Sequence, residues 1–407
     1  MSLAIIILAA GKGTRMKSAK PKVMHTLAGK PMLQHVIDTA KQLSPSQLAV
    51  VSGNGADEVV PFLQNQQIDV VMQHEQKGTG HAVEQAKTSF ANSEQVLVLY
   101  GDVPLITTDT LQDLIESGDN NSLKVLTAIL EDPTGYGRIV RDYDDNMLCI
   151  TEEKDADEET KLINEINTGI MCIPAKWLTE ALSQLDNNNT QGEYYLTDLI
   201  AKAVNQGIEI NSVTCEDEME VAGINNRVQL AEVESYYQQL KATELMMSGV
   251  TFRDPARVDI RGDIKAGQDI TIDINVIFEG NNTIADNVSI GANCILINST
   301  IHEGAEILPN SIIENAEVGT NCSVGPFARL RPGTKLAAKA KVGNFVEVKN
   351  ANIGLGSKIN HLSYIGDTDM GADVNIGAGT ITCNYDGANK HRTVIGDRVF
   401  VGSDTQL

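Results

Sequence analysis

Residues 3–16 read LAIIILAAGKGTRM. Leu3 to Ala10 is a short apolar run rich in β-branched residues, the pattern of a strand, and it stops at Gly11. Gly11 and Gly13 then let the backbone turn sharply with its amides exposed, a geometry that cradles phosphate. Basic residues follow at Lys12, Arg15, Lys17, Lys20, Lys22 and Lys30, and the first acidic residue of the chain is Asp38. The formal net charge of the whole chain is −22. A purely cationic opening in so acidic a protein favours a small polyanion over a nucleic acid lattice. The spacing is not a Walker loop, and Met16 stands where a dinucleotide fingerprint has its third glycine. An edge strand, a glycine turn and solvated lysines would fit the short stretch equally well.

The chain of 407 residues, 42% hydrophobic, is long enough for two or three domains with substantial cores. Aromatics at 4% and the lack of a dense basic tract argue against nucleic acid binding. The six cysteines are scattered without a CxxC pair, which suits reduced packing residues in a cytoplasmic protein. No cationic segment precedes the first apolar run, so it is not a signal peptide, and no stretch reaches the roughly 18 apolar residues of a membrane span.

Residues 1–226 alternate apolar strands with amphipathic helices, predicting an α/β domain of parallel strands joined by helical crossovers. Candidate strands are Leu3 to Ala10, Leu48 to Ser52, Val70 to Gln73, Val96 to Tyr100 and Lys124 to Leu130. Ligands gather at the carboxyl ends of such strands. There the phosphate loop and the turn GDVPL, with Asp102 at its tip, share one sheet edge. Phosphoryl transfer needs charge neutralisation and positioning more than covalent help. Mg²⁺ usually takes one or two protein oxygens, and Asp102 with Asn225 or Asn226 can supply them. Asp102 fits a plain turn as well, and the asparagines fit helix caps. Residues 227–250 read as one connecting helix, with Val233, Tyr237, Leu240 and Leu245 near helical spacing.

From residue 251 to 407 the period is six. Ile272, Phe278, Ile284, Ile290 and Leu296 keep it, then Ile312, Val318, Val324, Leu330, Leu336, Val342 and Val348, and after a slip of one Ile353, Ile359 and Ile365. A hexapeptide repeat winding a parallel β-helix keeps that spacing. Such a solenoid can be an assembly scaffold alone. Against that reading, a polar cluster is embedded in the repeat: Arg331, Lys349, His361, Tyr364, Asn375, Asn384 and Tyr385. The His361 imidazole can accept a proton near neutral pH.

LAAGKGTRM with PKVMH and LAGKPM resembles the signature of sugar-phosphate nucleotidyltransferases. QHEQKGTGHA, PTGYGRI, TEEKD, INTG, GEYYLTD and GINNR extend the likeness, and GPFARLRPGT, VGNFVEVK, HLSYIGD and NIGAGTITCNYDGANK carry it over essentially the whole chain. The family resembled is that of the bacterial bifunctional N-acetylglucosamine 1-phosphate uridyltransferases and glucosamine 1-phosphate N-acetyltransferases. The resemblance implies a Rossmann-like nucleotide-diphospho-sugar transferase domain followed by a left-handed β-helix, a homotrimer, and a product that feeds peptidoglycan and lipopolysaccharide synthesis. By it, Arg15 and Lys22 bind and activate UTP, and Asp102 and Asn225 hold Mg²⁺. Leu8, Ala9, Gly11, Gln73, Gly78, Thr79, Tyr100 and Gly101 surround the nucleotide, with Gly137, Glu152 and Asn167 around the sugar. His361 becomes the general base of acetyl transfer, and Arg331, Lys349, Tyr364 and Asn375 hold glucosamine 1-phosphate. Ala378, Asn384, Tyr385 and Ser403 are implied at acetyl-CoA.

Two features depart from the pattern. Members commonly carry two small residues before the histidine, where this chain has Ile359 and Asn360. The sequence also stops at VFVGSDTQL in mid-repeat, whereas relatives continue through turns that help to bind acetyl-CoA. From sequence, a truncated chain is expected to retain uridylyl transfer and to show weak or no acetyl transfer. The rival readings are a glucose or mannose 1-phosphate enzyme, a nucleotide-binding module, and a pure scaffold.

Overall fold

The computed structural model describes residues 2–407, which fall into two compact units, 2–233 and 234–407. The first is built on a sheet whose strands are β1 Leu3–Ala9, β2 Gln47–Ser52, β3 Asp69–Met72, β4 Gln95–Tyr100, β5 Leu123–Ile129, β6 Gly137–Arg141, β7 Met147–Thr151, β8 Glu165–Pro174 and β9 Ile210–Cys215. Their spatial order is β9-β5-β8-β4-β1-β2-β3, with the β6–β7 hairpin attached to β8. β1 lies between β4 and β2, parallel to both. Its two faces enter different cores. Leu3, Ile5, Ile7 and Ala9 pack with Val50, Leu97 and Leu99, and Ala4, Ile6 and Leu8 with Val51, Val96 and Val98. A strand buried on both faces must be apolar throughout, which is why its sequence shows no alternation.

The sheet is not wholly parallel, as the strand and helix alternation had predicted. β8 runs antiparallel to both β4 and β5. Apolar runs carry no information about strand direction, and this reversal sets Asn167 opposite Gly137 across the β6 pairing.

The second unit is a left-handed parallel β-helix. One hydrogen-bonded ladder stacks nine strands from Val250–Phe252 to Phe400–Val401, and a second set of thirteen forms the remaining sides. The inward residues make one continuous core through Phe278, Leu296, Ile307, Val324, Leu330, Val342, Val348, Ile359 and Ile365. Coils advance by 18 or 17 residues, as from Asn275 to Asn293 and from Asn293 to Asn310. A coil of 17 has one five-residue side. The hexad therefore slips more often than the sequence period suggested, and Ile313 rather than Ile312 points inward.

The corners of the coils take left-handed backbone, in columns such as Asp269, Asn287 and Asn321 or Asn298, Asn315 and Asn350. A third column is laddered by its side chains. Asn275, Asn293 and Asn310 hold φ of 60°, 60° and 63°, and their side chains form a ladder with bonds of 2.9 and 3.2 Å. Asparagine tolerates this region because its short amide bonds locally. Phe327 and Phe345 then take the corner at φ 56°, with their rings stacked at 5.2 Å, and Leu362 continues the column. One coil is longer. Thr368 lies opposite Thr393, and the surplus residues leave the solenoid as a loop carrying Asn384 and Tyr385.

The helix Arg227–Met247 precedes the solenoid. Leu240 is exposed, contrary to the helical-spacing expectation. Ala242 is buried in the β-helix core instead, with Leu245 packed against it.

Candidate functional site

The loop after β1 and the turn after β4 meet at the carboxyl edge of the first sheet. Gly13 has φ 57°, and a Cβ there would lie 2.7 Å from the Lys22 Cβ. The bare backbone lets the loop close over Lys22. Gly11 has no such constraint, since a Cβ would meet nothing within 4 Å of protein. The sharp-turn argument therefore applies to Gly13 only.

Lys22 Nζ bonds Asp102 Oδ2 and, at 3.0 Å, Asn225 Oδ1, and Arg15 Nη2 donates to the same Asn225 oxygen at 2.8 Å. Two cations of the opening segment thus converge on two oxygens, one from each of two distant parts of the chain. Asn226 does something different. Its Oδ1 accepts from the amides of Val228 at 2.8 Å and Gln229 at 3.0 Å, capping the following helix. The alternatives left open for these asparagines are divided between them: Asn226 caps, and Asn225 faces the cations.

The loop carrying Asn225 is pinned to its neighbours. Ile224 N donates to Asp102 O at 2.9 Å, and the buried Glu220 carboxylate accepts from Thr107 N at 2.8 Å and Thr107 Oγ1 at 2.6 Å. Glu220→Ala removes this tether without touching the cleft. The uridylyl transfer that the resemblance implies is expected to fall about tenfold, with the Thr107 amide left unpaired; steady-state kinetics beside a melting curve checks it.

A cleft of about 360 Å³ adjoins this cluster, lined by Leu8, Ala9, Gly11, Lys22, Gln73, Gly78, Thr79, Tyr100 and Asp102. Lys12, Gln76 and Glu193 line it too. Of these three, the sequence marked Lys12 only as one of the cations of the opening segment, and Gln76 and Glu193 were given no role within their motifs. Gly101 does not line it; it is buried, and a Cβ there would press on Leu33 and Val23. Thr79 Oγ1 accepts from Leu196 N at 3.0 Å, which ties the cleft's helix to the GEYYLTD segment.

Gly137, Glu152 and Asn167 lie beyond Tyr100. A Cβ on Gly137 would reach Glu152 Oε2 at 3.5 Å, and one on Gly169 would reach the Tyr100 ring at 2.6 Å. Burial pushes the Tyr100 hydroxyl well above its ordinary range, reinforced by the Glu152 and Asp102 carboxylates. Burial likewise raises Glu152, against the 2.9 Å bond from Thr197 Oγ1 that holds it down.

The neighbouring Asp198 is raised to about 6, by burial first and then by Asp186, Glu152 and Asp155. It stands in the first turn of the helix Asp198–Asn205, whose dipole favours the charge, and these effects outweigh that preference. Its folded pKa exceeds the unfolded value near 3.9, so the folded state holds the extra proton and stability falls as pH rises through about 4 to 6. Asp198→Asn is expected to raise Tm at pH 7.5 by about 2–4 °C and to leave it unchanged at pH 4; melting curves at the two pH values check it.

His25, in the PKVMH motif, is buried, and burial with Arg227 and Lys20 lowers its pKa.

In the β-helix, Arg331 Nη1 donates to Glu347 Oε1 at 2.7 Å. Arg331 and Lys349 follow the strand register Leu330↔Val348 by one residue, on successive coils. Tyr364 lies on the next coil, opposite Glu347, and its hydroxyl accepts from Asn384 Nδ2 at 3.5 Å. His361 ends the strand Lys358–His361, three residues before Tyr364, with Nδ1 3.0 Å from Asn344 Oδ1. Asn375 pairs with Lys358, at the opposite end of that strand from His361. Tyr385 is exposed, its hydroxyl donating to Gly387 O at 2.7 Å. Ala378 O accepts from Asp404 N at 2.8 Å, and Ser403 is exposed on the adjacent coil. Ile359 is fully in the core, and Asn360 keeps a buried Oδ1 without a partner.

Residues 5–194 match the MobA-like NTP transferase domain, and residues 260–353 match the GMPPB C-terminal domain. Over 405 residues the chain is 53% identical to the bifunctional protein GlmU of Marinobacter nauticus, and over 407 residues 55% identical to that of Pseudomonas entomophila. Each alignment covers 100% of this chain and 89% of the relative. The chain belongs to the GlmU family. Members of the GlmU family are bifunctional uridyltransferase and acetyltransferase enzymes of UDP-N-acetylglucosamine synthesis, the precursor route to peptidoglycan, and this chain is one of them. Among the described residues no helix is long and apolar enough to cross a membrane.

Proposed function

We propose that the cleft of the first unit binds UTP and N-acetylglucosamine 1-phosphate, and that Arg15, Lys22, Asp102 and Asn225 form its reaction centre. The observation that carries this is the convergence of Lys22 and Arg15 on the Asp102 and Asn225 oxygens beside the cleft. The sugar phosphate oxygen attacks the α-phosphorus in line; the new P–O bond forms as the bond to pyrophosphate breaks. Lys22 and Arg15 balance the charge that gathers on the phosphoryl oxygens, in a groove where they need not reorganise. Glu152 and Asn167, on the Gly137 side, orient the sugar.

Asp102 and Asn225 suit Mg²⁺. Both of their oxygens lie within reach of the single Lys22 ammonium, so they can share one cation, and such a pair leaves room for water and phosphate ligands. Mg²⁺ held there supplies further neutralisation of the phosphates.

In the second unit, His361 acts as base on the 2-amino group of glucosamine 1-phosphate as it attacks the acetyl-CoA thioester, and the thiolate of CoA leaves. Arg331 and Lys349 grip the phosphate through charge-assisted bonds, with Tyr364 and Asn375 toward the sugar. Ala378, Asn384, Tyr385 and Ser403 contact acetyl-CoA. The domains are read as residues 1–226, a connecting helix 227–250 and the acetyltransferase 251–407, assembled as a cytoplasmic homotrimer.

Pyrophosphate release from UTP and Mg²⁺ with a panel of sugar phosphates tests the first half. Turnover with N-acetylglucosamine 1-phosphate supports it, and turnover with glucose 1-phosphate alone refutes the substrate. Thiol release from acetyl-CoA that depends on glucosamine 1-phosphate tests the second.

A further inference from the structure

Gln73 follows β3 and is 3% exposed, yet it lines the nucleotide cleft. Nearly all of its hydrogen-bonding capacity is committed within the protein. Its backbone N donates to Ser52 O at 2.8 Å, and its backbone O accepts from Gln76 Nε2 at 3.2 Å. Its side-chain Nε2 lies 3.1 Å from Gly78 O and 2.9 Å from His81 Nδ1. The carbonyl of Gly78 can only accept, so the amide atom facing it must be the nitrogen; the flipped amide would set two carbonyl oxygens against each other. That uses one of the two amide hydrogens.

His81 takes the second. Its Nδ1 must present a lone pair, which fixes the neutral ring with the proton on Nε2. That Nε2–H in turn needs an acceptor; the Gln85 amide atom placed 3.2 Å from it is the nitrogen Nε2, and turning that exposed amide by 180° presents its oxygen instead. With both hydrogens spent, the one side-chain group of Gln73 left to offer a ligand is the acceptor Oε1. An acceptor held this way pairs with an imide N–H, as on a uracil ring, and opposes the ring lone pair that cytosine carries at the same edge.

We infer that His81 is a specificity-determining positioning residue: by taking the second amide hydrogen of Gln73 it locks the cleft to present only an acceptor, selecting a nucleotide whose base carries an imide N–H. The inference rests on the reading of this cleft as the nucleotide site. His81 touches no substrate and acts through Gln73. Without its Nδ1 the amide keeps a single tether at Gly78, and can swing to offer an N–H to cytosine.

The test is kcat/KM for pyrophosphate release with UTP and with CTP, in the parent chain and in His81→Phe, His81→Asn and Gln73→Leu. His81→Phe keeps a flat ring but offers no lone pair, and His81→Asn restores an acceptor near the Nδ1 position. The expected result is an UTP-to-CTP ratio about tenfold lower in His81→Phe, largely restored in His81→Asn, and lost in Gln73→Leu. A ratio unchanged in His81→Phe, with both nucleotides weakened alike, overturns the inference while the Gln73→Leu loss still upholds the cleft. A ratio unchanged in Gln73→Leu as well removes the base from this cleft and takes the inference with it.

Discussion

Replacing Lys22 by alanine is expected to slow pyrophosphate release about 1000-fold, with the first unit still folded. The ammonium is within bonding distance of Asp102 and Asn225, and the side chains of Lys22 and Asp102 are only 13% and 18% exposed. In so dry a position the charge acts at short range and with little screening, so its removal exceeds the loss of a surface lysine. Asp102→Asn should cost a similar factor by a different route. It removes the one carboxylate in the cluster, and the remaining activity should demand far higher Mg²⁺. Single-turnover rates over a Mg²⁺ titration separate the two. A Lys22→Ala rate within tenfold of the parent would place the reaction centre elsewhere.

The second large effect is on stability. Phe278 is 1% exposed at an inward position of the solenoid, stacked between Ile260 on the preceding coil and Leu296 on the next. Phe278→Ala leaves a void that neighbouring coils cannot close without breaking their own register. It is expected to destabilise the β-helix by about 3–5 kcal/mol. Each coil contacts only those beside it, so the loss should register as local opening near residues 258–301 before global unfolding. Hydrogen exchange resolved along the chain checks this. Uridylyl transfer by the first unit should be unchanged, and a parallel loss of it would show that the two units do not melt separately.

How much of this was legible in the sequence differs between the units. The solenoid shows plainly because its inward residues obey one spacing rule, which fails where a coil is one residue short, as at Ile313 and Val318, and where the long coil leaves the column between Thr368 and Thr393. In the first unit β1 to β5 were visible as apolar runs, but the β6–β7 hairpin, β8 and β9 were not named as strands, and strand direction was not legible. The antiparallel course of β8 depends on what packs above and below it, which no local pattern encodes. The reaction cluster is less legible still. Lys22 is 80 residues from Asp102 and 203 from Asn225, and the motifs became a site through resemblance to a family, not through spacing. Lys12 was visible only as one cation of the opening segment, and Gln76 and Glu193 only as unsingled members of their motifs, since a cleft wall needs only side chains that arrive there in three dimensions.

The long coil between Thr368 and Thr393 bears on how this architecture changes over generations. A shift of one residue in an ordinary sheet exchanges its wet and dry sides, so insertions there are selected against. A solenoid accepts extra residues at a corner, because the chain that leaves the coil rejoins it at the same height and the layers on either side keep their pairing. Met370 and Ile395 remain stacked inside although the chain between them has left the coil and returned. New surface chemistry can therefore be trialled at the corners of an otherwise invariant column, one loop at a time.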